Sequence, residues 1–464
     1  MTAAQPSASG LRRSLRRRHM QMIALGGVIG AGLFVGSGVV IRTAGPAAVI
    51  SFALTGTLVV LVMRMLGEMA VAYPAIGGFY EYNRLALGEL AGFLTGWMYW
   101  YFWVIVVAME AVAGAHILSV WWPTPAPWQF TLALMSVFTI VNLLSVRSYG
   151  EAEFWFASVK VAAIVAFLFA GAAFALGAWP GVAGGVGHLT AHGGFMPNGI
   201  VPVLSGAVAA TGFYFGAEIV TIAAAESAEP ERAVAETTQS VIWRVLVFYI
   251  GSIFLVVAIV PWNDSVRMAR PYVSVMEALR IPAATTVMSV VILTAVLSAL
   301  NSGLFASSRM LMALARRAEA PGIFATLDAR GVPVAAILGG TVFGYVTVVM
   351  SYLSPDRVFA FLVNSYGTVA IFVYVLIAVA ELRLRRRLER EAPERLRIRM
   401  WGYPWLTCIA ILGMLAVVAA MGVIPEQRTS LLFGAVSVAV LLVAYALRRA
   451  LRGPTASVYS GAGT

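Results

Sequence analysis

The sequence is poor in charge and nearly without cysteine. Only 11% of its 464 residues are Asp, Glu, Lys or Arg, about half the share of a soluble protein of this size. A water-soluble domain with a charged shell is thereby excluded. The single cysteine, Cys408, rules out an intrachain disulfide and a cysteine-rich metal site. Four histidines, at 19, 116, 188 and 192, form no cluster with carboxylates at spacings suited to metal or acid–base work. No catalytic or metal-binding residue is assigned, no cofactor is expected, and no nucleotide motif is present. Lysine is almost absent: Lys160 stands alone against 31 arginines.

What is present is apolar sequence. Hydrophobic residues make up 60% of the chain and the mean hydropathy is +0.87. Runs of about twenty apolar residues, the length that spans a hydrocarbon core, recur twelve times. They cover 21–41, 46–66, 94–118, 128–147, 155–178, 201–225, 240–261, 284–308, 333–353, 357–379, 403–424 and 429–447. The expected class is an all-α polytopic membrane protein with twelve transmembrane helices.

A net charge of +11 could suggest nucleic acid, but its distribution does not. With the N-terminus placed in the cytoplasm, 26 of the 32 basic residues fall on the inner side. The outer six are Arg42, Arg267, Arg270, Arg280, Arg357 and Arg428. That is the positive-inside pattern, which puts both termini in the cytoplasm and implies anionic membrane lipid, not nucleic acid, as the partner of the charge. "LRRSLRRRHM" at 11–20 reads as an orienting signal; the apolar stretch after it is too long for a signal peptide and lacks a small-residue cleavage pattern. The expected divisions are a basic tail (1–20), a core of ten spans (21–379), a charged linker (380–402), a final pair of spans (403–447) and a tail (448–464). Segment 67–92, punctuated by Pro74 and Gly77–Gly78, reads as interfacial, and 381–399 as a solvated charged helix.

The first span poses the central question. Six of the 13 residues in "GGVIGAGLFVGSG" (26–38) are glycine, which weakens a helix interior. Span 6, "LSGAVAATGFYFGAEIVTIAAAE" (204–226), has glycines at 206, 212 and 216, followed by Glu218 inside an apolar run. The weak points near Gly30 and Gly216 lie 186 residues apart, and each opens a block of five spans. Five spans reverse the direction of entry, so the two blocks, 21–178 and 201–379, would be inverted repeats with discontinuous helices 1 and 6. Backbone freed at membrane depth must line a cavity or meet a ligand. Freed amides attract an anion and freed carbonyls a cation, so such a site suits a zwitterion. The carboxylate would meet the amides of Ile29, Gly30, Ala31 and Gly32; the ammonium would meet carbonyls of span 1 and of Phe213, Tyr214, Phe215 and Gly216. Close packing through small residues would explain span 1 alone; the matching span 6 favours the site. The three aromatics include a candidate lid over the ligand, or only pack.

These residues carry a resemblance. "IALGGVIGAGLFVGSG", "AGPAAVISFALTGTLVVLVMRMLGEMAV", "SYGEAEFWFASVKVAAIVAF" and "GAEIVTIAAAESAEPERAVAETTQSVIWRVLVFYIGSIFLVVAIVPWN" resemble the amino acid transporter family of the amino acid–polyamine–organocation superfamily. Within it, the last stretch is most similar to bacterial 4-aminobutyrate permeases. The resemblance implies twelve helices, a five-plus-five inverted-repeat core and proton-coupled uptake of an amino acid across the plasma (inner) membrane.

The coupling proton then needs a carrier. Arginine stays charged at any relevant pH, whereas a buried lysine can give up its proton. Lys160, in "EFWFASVKVAAIVAF", is therefore a candidate, and the resemblance puts a lysine here where sodium-driven members bind a cation. The plain alternative is a lysine snorkelling to the inner interface near Glu151 and Glu153. Glu110 of span 3 is the other deep ionisable group, independently protonatable or a packing partner. Counting residues from the inner ends of the two spans, Lys160 and Glu110 sit at different depths, so a direct pair is not expected. Glu218 could sense protons, orient the unwound backbone or face the ligand ammonium, whereas Glu226 reads as an inner cap. In span 8, Ser298, Asn301 and Ser302 either hydrogen-bond Lys160, as the resemblance suggests, or bridge helices. The reading is a proton symporter for a small zwitterionic amino acid, 4-aminobutyrate first, and not an enzyme. The alternatives are an exchanger, another neutral, aromatic or basic amino acid as substrate, and, more remotely, a channel or membrane enzyme.

Overall fold

A lipid interior offers no water to backbone N–H and C=O groups, so each apolar run must satisfy its own main chain, and the helix does so within one segment. In a computed structural model of the chain the described residues are 15–30, 32–73, 77–182, 184–227, 236 and 245–452. Among them the ordered structure is helical, and the only extended pairing is an isolated bridge between Leu15 and Ser227.

The main helices are α1 (Arg17–Val28), α2 (Ser37–Ala44), α3 (Ala48–Ala72), α4 (Phe79–Leu87), α5 (Glu89–Trp121), α6 (Pro127–Leu144), α7 (Val146–Ala175) and α8 (Ile200–Ala210). They continue with α9 (Ile219–Ala223), α10 (Ser252–Ile259), α11 (Ala284–Arg316), α12 (Val334–Leu353), α13 (Pro355–Glu391), α14 (Trp405–Val423) and α15 (Pro425–Arg452). Among the described residues nine helical stretches have the length and composition to cross a membrane, and one further apolar run, Leu246–Ile259, is shorter. The protein is an integral, multi-pass helical membrane protein.

Packing follows helical phase. On α7 the buried positions are Val146, Tyr149, Gly150, Glu153, Ala157, Lys160, Ile164, Phe167, Gly171 and Phe174, three or four residues apart along one stripe. That stripe lies against α1 and α11, while α5 runs beside α11 and α13 at the centre. Without a hydrophobic drive between helices in lipid, small residues and hydroxyls bring them together. Ser51 Oγ donates to the Val203 carbonyl at 2.7 Å and Thr55 Oγ1 to the Ala207 carbonyl at 2.7 Å, which pins α3 to α8.

Two expected surface segments are partly interior. Residues Phe79, Tyr80, Glu81, Tyr82 and Asn83 of α4 are all buried, so this part of segment 67–92 is tucked against α5 and α13 and does not float on an interface; Pro74 lies outside the described residues. The charged linker is solvated on one face only. Helix α13 runs on to Glu391, and Arg385 turns inward to pair with Glu68 of α3 (Nη1–Oε2, 2.5 Å). The backbone N–H of Met400 donates to the same oxygen at 2.5 Å. The alternation of charge in "ELRLRRRLERE" hid a stripe of Leu384, Arg385 and Leu388 that faces the protein.

Removing one partner of a buried ion pair costs about 3–5 kcal/mol, because the other charge stays buried. Arg385→Ala is expected to lower the melting temperature in detergent clearly, and Glu68→Gln added to it to restore much of the loss. Equal melting of R385A and the native protein would show that the pair carries no stability.

Candidate functional site

Helix 1 of the sequence is interrupted where the glycines accumulate. Helix α1 stops at Val28, Ile29 and Gly30 are not helical, and the chain resumes as a π-helical turn at Gly32–Gly36 before α2. Ala31 lies outside the described residues. Helix 6 is interrupted too: α8 tightens into a 3₁₀ turn at Thr211–Tyr214, Phe215 is extended, and α9 begins at Ile219. Gly216 has φ +121°, a conformation that side-chain-bearing residues rarely adopt.

The two interruptions touch. The Phe213 ring lies against the π-turn: a Cβ added at Gly32 would come 2.5 Å from ring atom Cδ1, and one at Gly36 2.5 Å from Cζ. Glycine at 32 and 36 therefore makes room for this aromatic ring. Gly30 differs, because a Cβ there would meet nothing within 4 Å among the described residues. The open side of the break is at Gly30, with half-buried Phe213 beside it.

The freed backbone groups are partly satisfied by side chains. The Ile29 carbonyl accepts a hydrogen bond from Lys160 Nζ at 2.9 Å, and the Gly30 carbonyl accepts weakly from Leu33 N at 3.3 Å. The Phe213 carbonyl accepts from Tyr249 OH at 2.8 Å. Tyr214 is fully buried and donates to the Phe52 carbonyl at 2.8 Å, so its side chain is a packing element. Phe215 packs on Phe102 and Tyr374, with ring centroids 4.3 and 4.8 Å away, and so also belongs to the wall.

Glu218 anchors the second break. Its carboxylate accepts from Tyr99 OH of α5 (3.1 Å), Tyr374 OH of α13 (3.0 Å) and the backbone N–H of Gly216 (3.0 Å). A buried carboxylate held by three donors fixes the unwound backbone between two neighbouring helices. Glu226 does not cap a helix end in the way its position in the sequence suggested. It is buried and paired with Arg309 of α11 (Oε1–Nε, 2.7 Å), and its backbone carbonyl accepts from Leu15 N at 3.1 Å.

Lys160 is fully buried, which disposes of the snorkelling alternative. Besides Ile29 it donates to Ser298 Oγ of α11 at 2.8 Å. Ser298 in turn donates to Glu153 Oε1 at 2.5 Å, and Asn301 Nδ2 lies 3.5 Å from Glu153 Oε2. Asn142 of α6 donates to Asn301 Oδ1 at 3.1 Å. Ser302 is buried near Glu153 and Tyr149, but its Oγ makes no hydrogen bond of full geometry among the described residues. Glu110 is buried on α5, with Oε2 unpartnered, and no ion pair joins it to Lys160. Lys160 nevertheless lies deeper than the sequence suggests. Glu151 and Glu153 are not the polar end of the span: α7 starts at Val146 and Glu153 is buried, so Lys160 lies about 21 Å along its helix. Glu153 was thus missed as a site residue. Its signal was available: it stands seven residues before Lys160, two helical turns on the same face. Tyr99 and Tyr374 gave no such signal among the many aromatics of their spans.

The geometry is that of a membrane protein whose two broken helices meet beside a buried cation, and comparison with known proteins defines its class. A family model described as amino acid permease matches residues 19–452, so the chain belongs to the amino acid permease family. It is 49% identical over 444 residues to the gamma-aminobutyric acid permease of Bacillus subtilis, covering 96% of this chain and 95% of that one. The gamma-aminobutyric acid permease of Escherichia coli is 46% identical, with 92% and 91% covered. The aromatic amino acid transport protein AroP of Corynebacterium glutamicum is 40% identical, with 89% and 90% covered. Among solved structures, a mutant of the Eremococcus coleocola manganese transporter superimposes with a TM-score of 0.57 at 13% identity over 93% of each chain, a likeness of fold alone. The chain is a permease and not an enzyme.

The glycine contacts separate two kinds of defect. Gly36→Ala, which collides with Phe213, is expected to lower both the yield of folded protein and uptake, with partial rescue by Phe213→Leu. Gly30→Ala is expected to fold normally and to raise KM for substrate several-fold. Wild-type KM in G30A would remove this edge of the break from substrate recognition.

Proposed function

We propose that the protein is a proton-coupled symporter that imports a small zwitterionic amino acid, 4-aminobutyrate first, across the plasma (inner) membrane by alternating access. The observation that carries this reading is the hydrogen bond from Lys160 Nζ to the Ile29 carbonyl, which ties the only lysine of the chain to the backbone of a broken span. Twelve spans with both termini cytoplasmic, and a core of two inverted five-span repeats at 21–178 and 201–379, are part of the same proposal. The positive-inside charge pattern, the paired interruptions and the gamma-aminobutyric acid permeases among the relatives support it.

In this account the substrate carboxylate approaches the backbone at Ile29, Gly30, Ala31 and Gly32, where Gly30 leaves room, and the ammonium takes carbonyls of span 1 and the Phe213–Gly216 segment. Phe213 closes over the ligand. A positive charge on Lys160 next to the Ile29 carbonyl sets the shape and potential of this backbone, and loss of its proton relaxes both. Binding of substrate and of proton are thereby linked, each favouring the same state. Glu218 keeps the second break in register, and Glu110 is a second protonatable group deeper in the bundle. Ser298, Asn301 and Ser302 surround the lysine as polar support.

A second substrate class has an observation in its favour, since an aromatic amino acid transporter is among the relatives. Competition of labelled 4-aminobutyrate uptake by a panel of amino acids separates the two. The account expects short ω-amino acids to compete best; strong preference for aromatic competitors would replace the substrate and leave the class intact. For coupling, Lys160→Ala is expected to abolish accumulation driven by a pH gradient. Unchanged pH dependence in K160A would remove Lys160 from the mechanism.

A further inference from the structure

Glu153 is a buried carboxylate that the substrate site does not need. It is fully buried on α7, two helical turns before Lys160, and the Ser298 hydroxyl stands between the two groups. The direction of the bonds is informative: Lys160 Nζ donates to Ser298 Oγ, and Ser298 Oγ donates to Glu153 Oε1. Nitrogen, hydroxyl and carboxylate are thus aligned as donor, relay and acceptor, at 2.8 and 2.5 Å.

Beyond Glu153 the polar line continues toward the end of the bundle where the N-terminal segment packs. Tyr149 OH, one turn before Glu153 on α7, and Ser302 Oγ, one turn after Ser298 on α11, are buried beside Glu153, and neither makes a hydrogen bond of full geometry among the described residues. The Tyr149 ring stacks on Phe305 at 4.1 Å, and Arg309 lies over the other side of that cluster, 4.2 Å from the Phe305 centroid. Arg309 holds Glu226, whose carbonyl binds Leu15 N. The titratable or charged groups along this seam include Lys160, Glu153 and Tyr149 on α7, Arg309 on α11, Glu226 after α9, and His19 and Arg18 on α1 with their partner Glu151; Glu110 on α5 interacts electrostatically with Lys160.

We infer that Glu153 is the proton acceptor of Lys160 and the exit station through which the coupled proton leaves toward the cytoplasm. The step is balanced. The Lys160 ammonium gives a proton to Ser298 Oγ while Ser298 gives its own hydroxyl proton to Glu153, turning an ammonium–carboxylate pair into an amine and a carboxylic acid with no change in net charge. That neutrality matters at membrane depth, where an unpaired charge is expensive. Lys160 then loses its charge beside the Ile29 carbonyl without a hydronium having to cross the apolar interior. Glu153 passes the proton on along the face bearing Tyr149 and Ser302 when the seam at Leu15, Glu226 and Arg309 opens.

The inference rests on the proton-coupled reading, and purified full-length protein in proteoliposomes tests the two separately with labelled 4-aminobutyrate. Glu153→Gln keeps an acceptor for Ser298 but takes up no proton at working pH. Accumulation driven by a pH gradient is expected to fall more than about tenfold in E153Q, while counterflow exchange, which needs no net proton transfer, falls far less. Ser298→Ala, which keeps the carboxylate and removes the relay, is expected to show the same split. Gradient-driven accumulation in E153Q at the wild-type level would overturn the inference. Equal loss of counterflow and accumulation in both variants would also overturn it, by leaving Glu153 a purely structural group. Absence of any pH-gradient dependence in the wild type would instead overturn the coupling reading itself.

Discussion

The structure depends on placing one ammonium group where a membrane protein can least afford it. Lys160 is wholly buried, and among the described groups that make it tolerable are the Ile29 carbonyl, the Ser298 hydroxyl and, through that hydroxyl, Glu153. A helical Ile29 would have spent its carbonyl on the next turn. The interruption of the first span and the solvation of the lysine are therefore one constraint, each supplying what the other lacks. Arginine at this position would bring a charge that cannot be released.

The second interruption is held differently. Glu218 gathers two tyrosine hydroxyls from α5 and α13 and the Gly216 amide, so the unwound stretch is fastened to helices on either side. Phe213 then reaches across to the π-turn and fills the space left by Gly32 and Gly36. Glycine serves two purposes within a few residues of one another. At 32 and 36 it makes room for a neighbouring ring, and at 30 it leaves the break open. The contact between the interruptions means that a shift in one is felt by the other.

Much of this was legible in the sequence, and the reasons differ from residue to residue. The apolar runs gave the helices because their length and hydropathy are physical requirements of crossing lipid. The clustered glycines gave both interruptions because the cost of glycine in a helix needs a reason. Lys160 stood out through its rarity. Other features were hidden because charge alone does not reveal which way a side chain points. Glu153 and Arg385 read as boundary and linker residues, yet their helical phase turns both inward. Glu226 found Arg309 at a separation of 83 residues, and the tyrosines found Glu218 across 119 and 156, pairings that only the three-dimensional arrangement supplies. The ring that Gly32 and Gly36 admit was hidden for the same reason, since Phe213 lies 181 and 177 residues further along the chain.

The central claim is that substrate and proton meet at one broken helix through the charge on Lys160. Linkage makes this testable with the substrate gradient driving the proton. In sealed proteoliposomes with equal pH on both sides, an inward gradient of 4-aminobutyrate should acidify the lumen as the labelled substrate enters. Entry of substrate with the lumenal pH unmoved would contradict the account.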